Sequence, residues 1–225
     1  MATSSSITRL TPPVAPRLLG APSQYSSAYQ EQYSNALRLY FNQLDRTIGT
    51  FLGPQGGRFL NNPLAAVQRT TDVIFAANTV KEITFDENDY LNGCRNDGTN
   101  GITVDQAGIY NYQFSIQFAN TDSQIHATWV WLRVNNVDVP GTASKWDISA
   151  KHGSSDGYAI GAANFFVELA PNDYVSLYAA VDQAYIPATS QGIYMEAYPV
   201  QTTPFPRPSI PSVVATLTFV SSAPT

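Results

Sequence analysis

A chain of 225 residues with 13% charged side chains, a net charge of −5 and a sequence pI of about 4.8 has no basic face to offer a nucleic acid. It is long enough to bury a core without covalent staples, and its single cysteine, Cys94, excludes an intrachain disulfide. No apolar run of about 18 residues occurs, and the N-terminal MATSSSITRLTPPVAPRLLGAP lacks the basic start and unbroken apolar stretch of a secretory signal, so a soluble protein made without export is expected.

Residues 1–22 are rich in Pro, Ser and Thr with too few apolar groups for a core, which predicts an extended Pro-rich arm. From 23 to about 52 the pattern changes. Tyr29, Tyr33, Leu37, Tyr40, Leu44, Ile48 and Phe51 recur at gaps of three or four, with Ala28, Ala36 and Phe41 beside them, and this spacing predicts an amphipathic helix. Ser27 and Gln30 resemble a capping box, Pro22 blocks extension backwards, and Gly53-Pro54 ends the helix after roughly 45 Å. Leu37, Leu44 and Phe51 stand seven apart with Tyr40 between, a short heptad register. The helix therefore either packs on its own domain or associates with copies of itself through Tyr33, Leu37, Tyr40, Leu44, Ile48 and Phe51. Residues 53–70 read as a Gly/Pro-punctuated linker anchored by Phe59, Leu60 and Leu64.

From 71 to 225 the pattern is β. Strands are expected near 72–77, 79–85, 101–105, 108–118, 127–135, 143–149, 157–169, 173–182, 191–198 and 212–220, separated by turn chemistry such as Asp97-Gly98, Asn135-Asn136, Pro140-Gly141 and Pro171-Asn172-Asp173. The clearest is GIYNYQFSIQFA, in which Tyr110, Tyr112, Phe114, Ile116 and Phe118 alternate with Asn111, Gln113, Ser115 and Gln117. Thirteen tyrosines and three tryptophans exceed what one small core can satisfy, because each buried hydroxyl or indole N–H needs a partner, and this points towards subunit contacts. On the 173–182 strand, Tyr174 and Tyr178 lie opposite Val175, Leu177, Ala179 and Val181, so one face suits a core and the other a contact.

Nothing in the chain composes a catalytic set. His126 and His152 fall in loop-like contexts without metal-ligand spacing. Ser154-Ser155-Asp156 lies near His152 without a nucleophile elbow. Cys94 has no His or Lys beside it to lower its pKa, and no Gly-rich loop between strand and helix would cradle phosphate. The expectation is a protein that is not an enzyme and holds no cofactor. Asp86, Glu87 and Asp89 form the densest acidic cluster, where a solvated turn is expected and a calcium site stays open as the alternative.

Four stretches, in order, resemble one family. GIYNYQFSIQF is similar to the Gly-x-Tyr-x-aromatic strand of the jelly roll shared by tumour necrosis factor (TNF) and the globular head of the first complement component. WVWLRVNNVDVPGT resembles the next strand and hairpin, with Asn135-Asn136 where an Asn-Gly-like turn is usual. FFVELAPNDYVSLYAAV resembles the late hairpin, and PSIPSVVATLTFV the closing strand of bacteriophage versions of the fold. The resemblance runs from about residue 70 to 222 and leaves out the arm and helix. It implies a mainly β, ten-stranded antiparallel jelly-roll sandwich, TNF-like, preceded by an extended arm and one long amphipathic helix. It also implies a homotrimer, with Tyr110, Tyr112, Tyr174 and Tyr178 as the tyrosines expected at the trimer interface.

The expected role is that of a bacteriophage virion structural protein, a homotrimeric capsid decoration or cement protein on the capsid surface, assembled in the host cytoplasm. Leu10, Pro12, Val14, Pro16 and Leu18 are the arm side chains expected to attach to the major capsid protein. The alternative is a short tail or head fibre acting as an adhesin for a host surface glycan or protein, with Trp146 and Tyr185 as candidate receptor contacts. A secreted cytokine-like ligand is disfavoured by the missing signal and collagen-like segment. No nucleic-acid partner and no membrane insertion are expected.

Overall fold

A serine cap fixes where the first element begins. The computed structural model describes residues 13–18, 20, 22–52, 62–99, 101–186, 189 and 191–222, and the chain divides into two units, Met1–Asn61 and Asn62–Thr225. In the first, α1 (Ser27–Leu52) starts one turn later than the apolar pattern predicts. The cap is Ser26 rather than Ser27: its Oγ accepts the Tyr29 N–H at 3.3 Å, and its carbonyl accepts the first helical bond from Gln30 at 3.1 Å. Half-exposed Tyr29, Tyr33, Ala36, Leu37, Tyr40, Leu44 and Thr47 form one stripe, and no helix residue with a described side chain is buried. With no acidic side chain in the first turn and no basic one in the last, the helix dipole gains nothing from charge. Covering the stripe is what would stabilise it.

The second unit is built of β1 (Leu64–Arg69), β2 (Val73–Ile74), β3 (Lys81–Ile83), β4 (Glu87–Asn92), β5 (Cys94–Asn96), β6 (Ile102–Val104), β7 (Gly108–Asn120), β8 (His126–Val134), β9 (Val137–Asp138), β10 (Ser144–Ile148), β11 (Gly157–Leu169), β12 (Tyr174–Val181), β13 (Ile193–Met195) and β14 (Val213–Ser221). Each of the ten expected strands has a counterpart, and β1, β4, β5 and β9 are additional. The domain thus starts earlier than expected, because β1 lies inside the stretch read as linker. Its LAAVQR alternates Ala65 and Val67 into the core, but alanines give period two little contrast. The acidic stretch read as a solvated turn contains β4, whose side chains are mostly exposed and carry no apolar alternation.

One sheet runs β2-β13-β7-β14-β1-β4 with β11 also on β7, and the other runs β10-β8-β12-β6-β5 with β3 on β12 and β9 on β8. Every pairing between these strands is antiparallel, and β1 and β14 lie side by side. This is an antiparallel β-sandwich of the jelly-roll kind. Tyr110, Tyr112, Phe114, Ile116 and Phe118 of β7 join Val130 and Leu132 of β8 and Val175, Leu177, Ala179 and Val181 of β12 in one buried cluster.

Tyr110 and Tyr112 therefore are not interface residues, since both are 0% exposed within their own chain. Period two tells which residues share a face and not which face looks outward. Tyr110 donates its hydroxyl to the Gln106 carbonyl at 2.7 Å and stands edge-on to Phe219. Burial, reinforced by Cys94 and Asp105, pushes its hydroxyl pKa up to about 12. The Tyr112 hydroxyl has no hydrogen-bond partner, and burial above all, with the Glu82 carboxylate second, raises its pKa far above the ordinary value.

The Asn135-Asn136 pair joins β8 to β9 across Val134↔Val137, with φ of 50° and 66°. Two positive φ values match the strand twist, and asparagine tolerates them. Its side chains also tie the hairpin to its neighbours: Asn135 donates to Asp173 at 2.8 Å and accepts the Tyr174 N–H at 3.2 Å. Gly101, at φ +74°, sits where a Cβ would come 2.3 Å from the Val175 carbonyl, so only glycine lets β6 approach β12 there.

Replacing Tyr112 by Phe removes an unpartnered hydroxyl and keeps the ring. The variant is expected to be more stable by about 1 kcal/mol, read as a higher urea midpoint at unchanged slope. A loss of stability would mean that the hydroxyl has a partner in solution.

Candidate interaction surface

The core-facing side of β7 fixes the opposite side as a surface. Ile109, Asn111, Gln113, Ser115 and Gln117 point away from the core, and β11 pairs with β7 along its whole length, Gly157↔Asn120 to Leu169↔Gly108. Tyr158, Ile160, Ala162, Asn164, Phe166 and Glu168 consequently share that outer face. Val214, Thr216 and Thr218 extend it on β14, and Leu64, Ala66 and Gln68 on β1. Among these residues Glu168 is the only one that carries a charge. Ile160 is 64% exposed, Phe166 63% and Tyr158 56% within the single chain. Large exposed apolar side chains on a face depleted of charge are the composition of a protein contact. Two shallow hollows mark the same face, one of about 200 Å³ beside Gln113, Ser115 and Thr216 and one of about 270 Å³ beside Gln117, Tyr158 and Ile160.

The sequence-predicted residues scatter. Tyr178 is on the other sheet, on its outer face, nearly covered by its own chain: the Arg133 guanidinium lies 4.2 Å from its ring, and its hydroxyl is 3.1 Å from both Glu82 and Asn136. Tyr174 is half-buried beside Asn135. The four tyrosines thus occupy the core and the far face, and do not converge. Trp146 is not a free receptor contact, because its half-buried ring packs on Phe114 and Phe118 beside Gly161, where a Cβ would come 3.3 Å from the indole. Tyr185 is half-buried with its ring centroid 4.6 Å from that of Tyr194.

In the first unit, Val14 is 87% exposed, Leu18 is exposed and Pro16 half-buried, while Leu10 and Pro12 lie outside the described residues. Tyr33, Leu37, Tyr40 and Leu44 belong to the half-exposed stripe of α1, and Ile48 is exposed. Phe51 falls within α1, and its side chain lies outside the described residues.

The polar candidates are absorbed locally. Asp86 accepts the Thr70 N–H at 2.8 Å and the Thr70 and Thr71 hydroxyls at 3.0 and 3.1 Å, and it pairs with Arg69 at 3.5 Å. Asp89 accepts the Gln68 amide at 2.5 Å, and Glu87 is exposed. Among the described residues, no group of three or more His, Cys, Asp or Glu side chains could hold a metal ion. Cys94 is buried, and its thiol is pushed up to about 11 by burial and by Asp105, so it is a packing residue. His152 closes a short turn with Ser155. His126 is not in a loop: it opens β8, with Nε2 3.2 Å from Asp122 and Nδ1 3.2 Å from Asp182.

No family model matches the chain, and no curated protein matches it. Among solved structures, the globular domain of zebrafish complement 1qA protein is similar at a TM-score of 0.42 and 11% identity, over 72% of this chain and 99% of that one.

The hydrogen bond from the His126 side chain, helped by the Ser123 N–H, holds the Asp122 carboxyl below the usual range. A depressed folded pKa contributes stability above the unfolded value of about 3.9 and loses it as the pH falls through the folded value. The melting temperature is therefore expected to fall below about pH 4, and Asp122→Asn to show a smaller fall. An identical acid response in that variant would remove Asp122 as a contributor.

Proposed function

We propose that this chain is a homotrimeric structural protein of a bacteriophage particle, a capsid decoration or cement protein. The observation that carries the self-association is the outer face of the β7–β11 sheet, with Ile160, Phe166 and Tyr158 exposed and Glu168 as its one charge among the residues named above. Covering such a face with copies of itself removes apolar area from water and desolvates almost no charge. Closed symmetric assembly is the usual outcome for a chain that binds its own kind.

The arm and α1 attach the trimer to the major capsid protein. Val14, Pro16 and Leu18 offer the arm's apolar contacts, and the α1 stripe of Tyr33, Leu37, Tyr40 and Leu44 is available either to the capsid or to sister helices. Three arms on one body act as a multivalent unit, so individually weak contacts give firm attachment. The similarity of PSIPSVVATLTFV to the closing strand of bacteriophage jelly rolls supports the placement on a virion. The second reading is a short tail or head fibre acting as an adhesin. It is favoured by the aromatic groove on the opposite sheet, described below.

The purified full chain is expected to have the mass of three copies by light scattering. Ile160→Arg combined with Phe166→Arg is expected to yield single folded chains, because both residues are exposed within the subunit and surface substitutions move folding stability by only about 0.5 kcal/mol. The wild-type trimer should co-sediment with capsids lacking it, and deletion of residues 1–22 should abolish this. A wild-type monomer overturns the trimer, and a trimer indifferent to capsids overturns the cement role in favour of the fibre.

A further inference from the structure

The second sheet also has an outer face, and its chemistry is different. Because β8 turns Val130 and Leu132 inward, Trp129, Trp131 and Arg133 project outward beside Ala180, Tyr178 and Ser176 of β12. The two indoles line a groove of about 440 Å³, closed along one side by Val139, Pro140 and Gly141. Trp131 is fixed in place: its Nε1–H donates to Asp138 Oδ1 at 2.6 Å, and Tyr178 stacks against it at 6.3 Å. Arg133 spans both rings and donates its Nε–H to the same Asp138 oxygen at 2.6 Å. Trp129 is 37% exposed, with only the Ala180 methyl beside it on β12. On its β10 side the Lys145 ammonium sits 5.8 Å from its ring and 2.9 Å from Asp147.

These contacts define what fits. The floor offers broad apolar ring faces, the second oxygen of Asp138 lies along it, and the Lys145 ammonium stands beside the Trp129 ring. A hydrocarbon would displace water from the second Asp138 oxygen and offer no donor in its place. A cationic ligand would be repelled by Lys145 and Arg133, which stand 5.8 Å from the Trp129 ring and 5.9 Å from the Trp131 ring. An anion would gain little from Lys145, which Asp147 offsets, and would approach the Asp138 carboxylate. A neutral ring with C–H faces and hydroxyl edges satisfies floor and rim together, and the volume is that of a small-molecule site.

We propose that this groove is a glycan-binding subsite that takes a neutral pyranose ring, stacked on Trp129 and Trp131 with its hydroxyls at Asp138 and Lys145. The subsite lies on the face of the sandwich opposite the β7–β11 surface, so it stays open when copies associate through that surface. It does not depend on attachment to a capsid.

The test uses the full chain, an array of neutral hexose and N-acetylhexosamine oligosaccharides, and titration of the oligosaccharides that bind. The indole N–H resonances of Trp129 and Trp131 are expected to shift in a saturable manner while that of Trp146 stays put. Trp129→Ala is expected to weaken binding at least about tenfold at an unchanged melting temperature, and Trp129→Phe to retain part of the affinity. Binding that survives Trp129→Ala overturns the proposal, as does an array with no ligand that shifts these resonances. A proline-rich peptide that shifts them where no sugar does would reassign the groove to peptide recognition.

Discussion

The strict alternation of β7 is the constraint on which the rest of the domain depends. This strand is hydrogen-bonded to β11, β14 and β13, so three neighbours inherit its register. Its even-numbered residues from Tyr110 to Phe118 fill the space between the sheets, and a slip of one residue would exchange five large apolar side chains for three amides, a hydroxyl and one of Ile109 or Ala119. Asn120 secures its end. That side chain is fully buried and donates to the carbonyls of Gln124, Ile148 and Ser149, closing a loop that otherwise would leave polar groups unpaired.

Fixing the inner face fixes the outer one, and each sheet of the sandwich has a side that the core does not use. On the β7–β11 side the residues of β7, β11, β14 and β1 are amides, hydroxyls and apolar groups, several of them large and exposed, with Glu168 as the one charge among them. On the β8–β12 side they are aromatics interleaved with ion pairs, Arg133 with Asp138 and Lys145 with Asp147. The first composition suits a partner that covers a broad area without desolvating charge. The second suits a small ligand that needs a flat apolar floor and a polar rim. One fold thus presents two chemically distinct surfaces back to back.

Much of this was legible in the residues themselves. The ten expected strands follow from alternation and turn chemistry, and Asn135-Asn136 was readable as a hairpin turn because few residues accept positive φ. What escaped has a common cause. β1 sets two small alanines beside Leu64 and Val67, and β4 is mostly exposed polar residues, so neither alternates clearly in hydrophobicity even though both pair with neighbours in the folded sheet. The tyrosines misled for a related reason: Tyr110 and Tyr112 look like surplus amphipathic side chains, yet both fit inside. The outward aromatics that matter, Trp129 and Trp131, lie two apart on β8. That spacing was visible, but nothing local marks an indole as facing solvent.

The sequence by itself determined the periods: a helix with one apolar stripe, strands with two faces, turns where asparagine and glycine permit them, and a shortage of charge. Only the tertiary structure decided which face of each strand is inside. That choice depends on which sheets stack, through contacts between residues far apart in the chain, such as Phe114 with Trp146 and Tyr178 with Glu82. Alternation is a property of the local backbone, whereas inside and outside are properties of the whole packed domain.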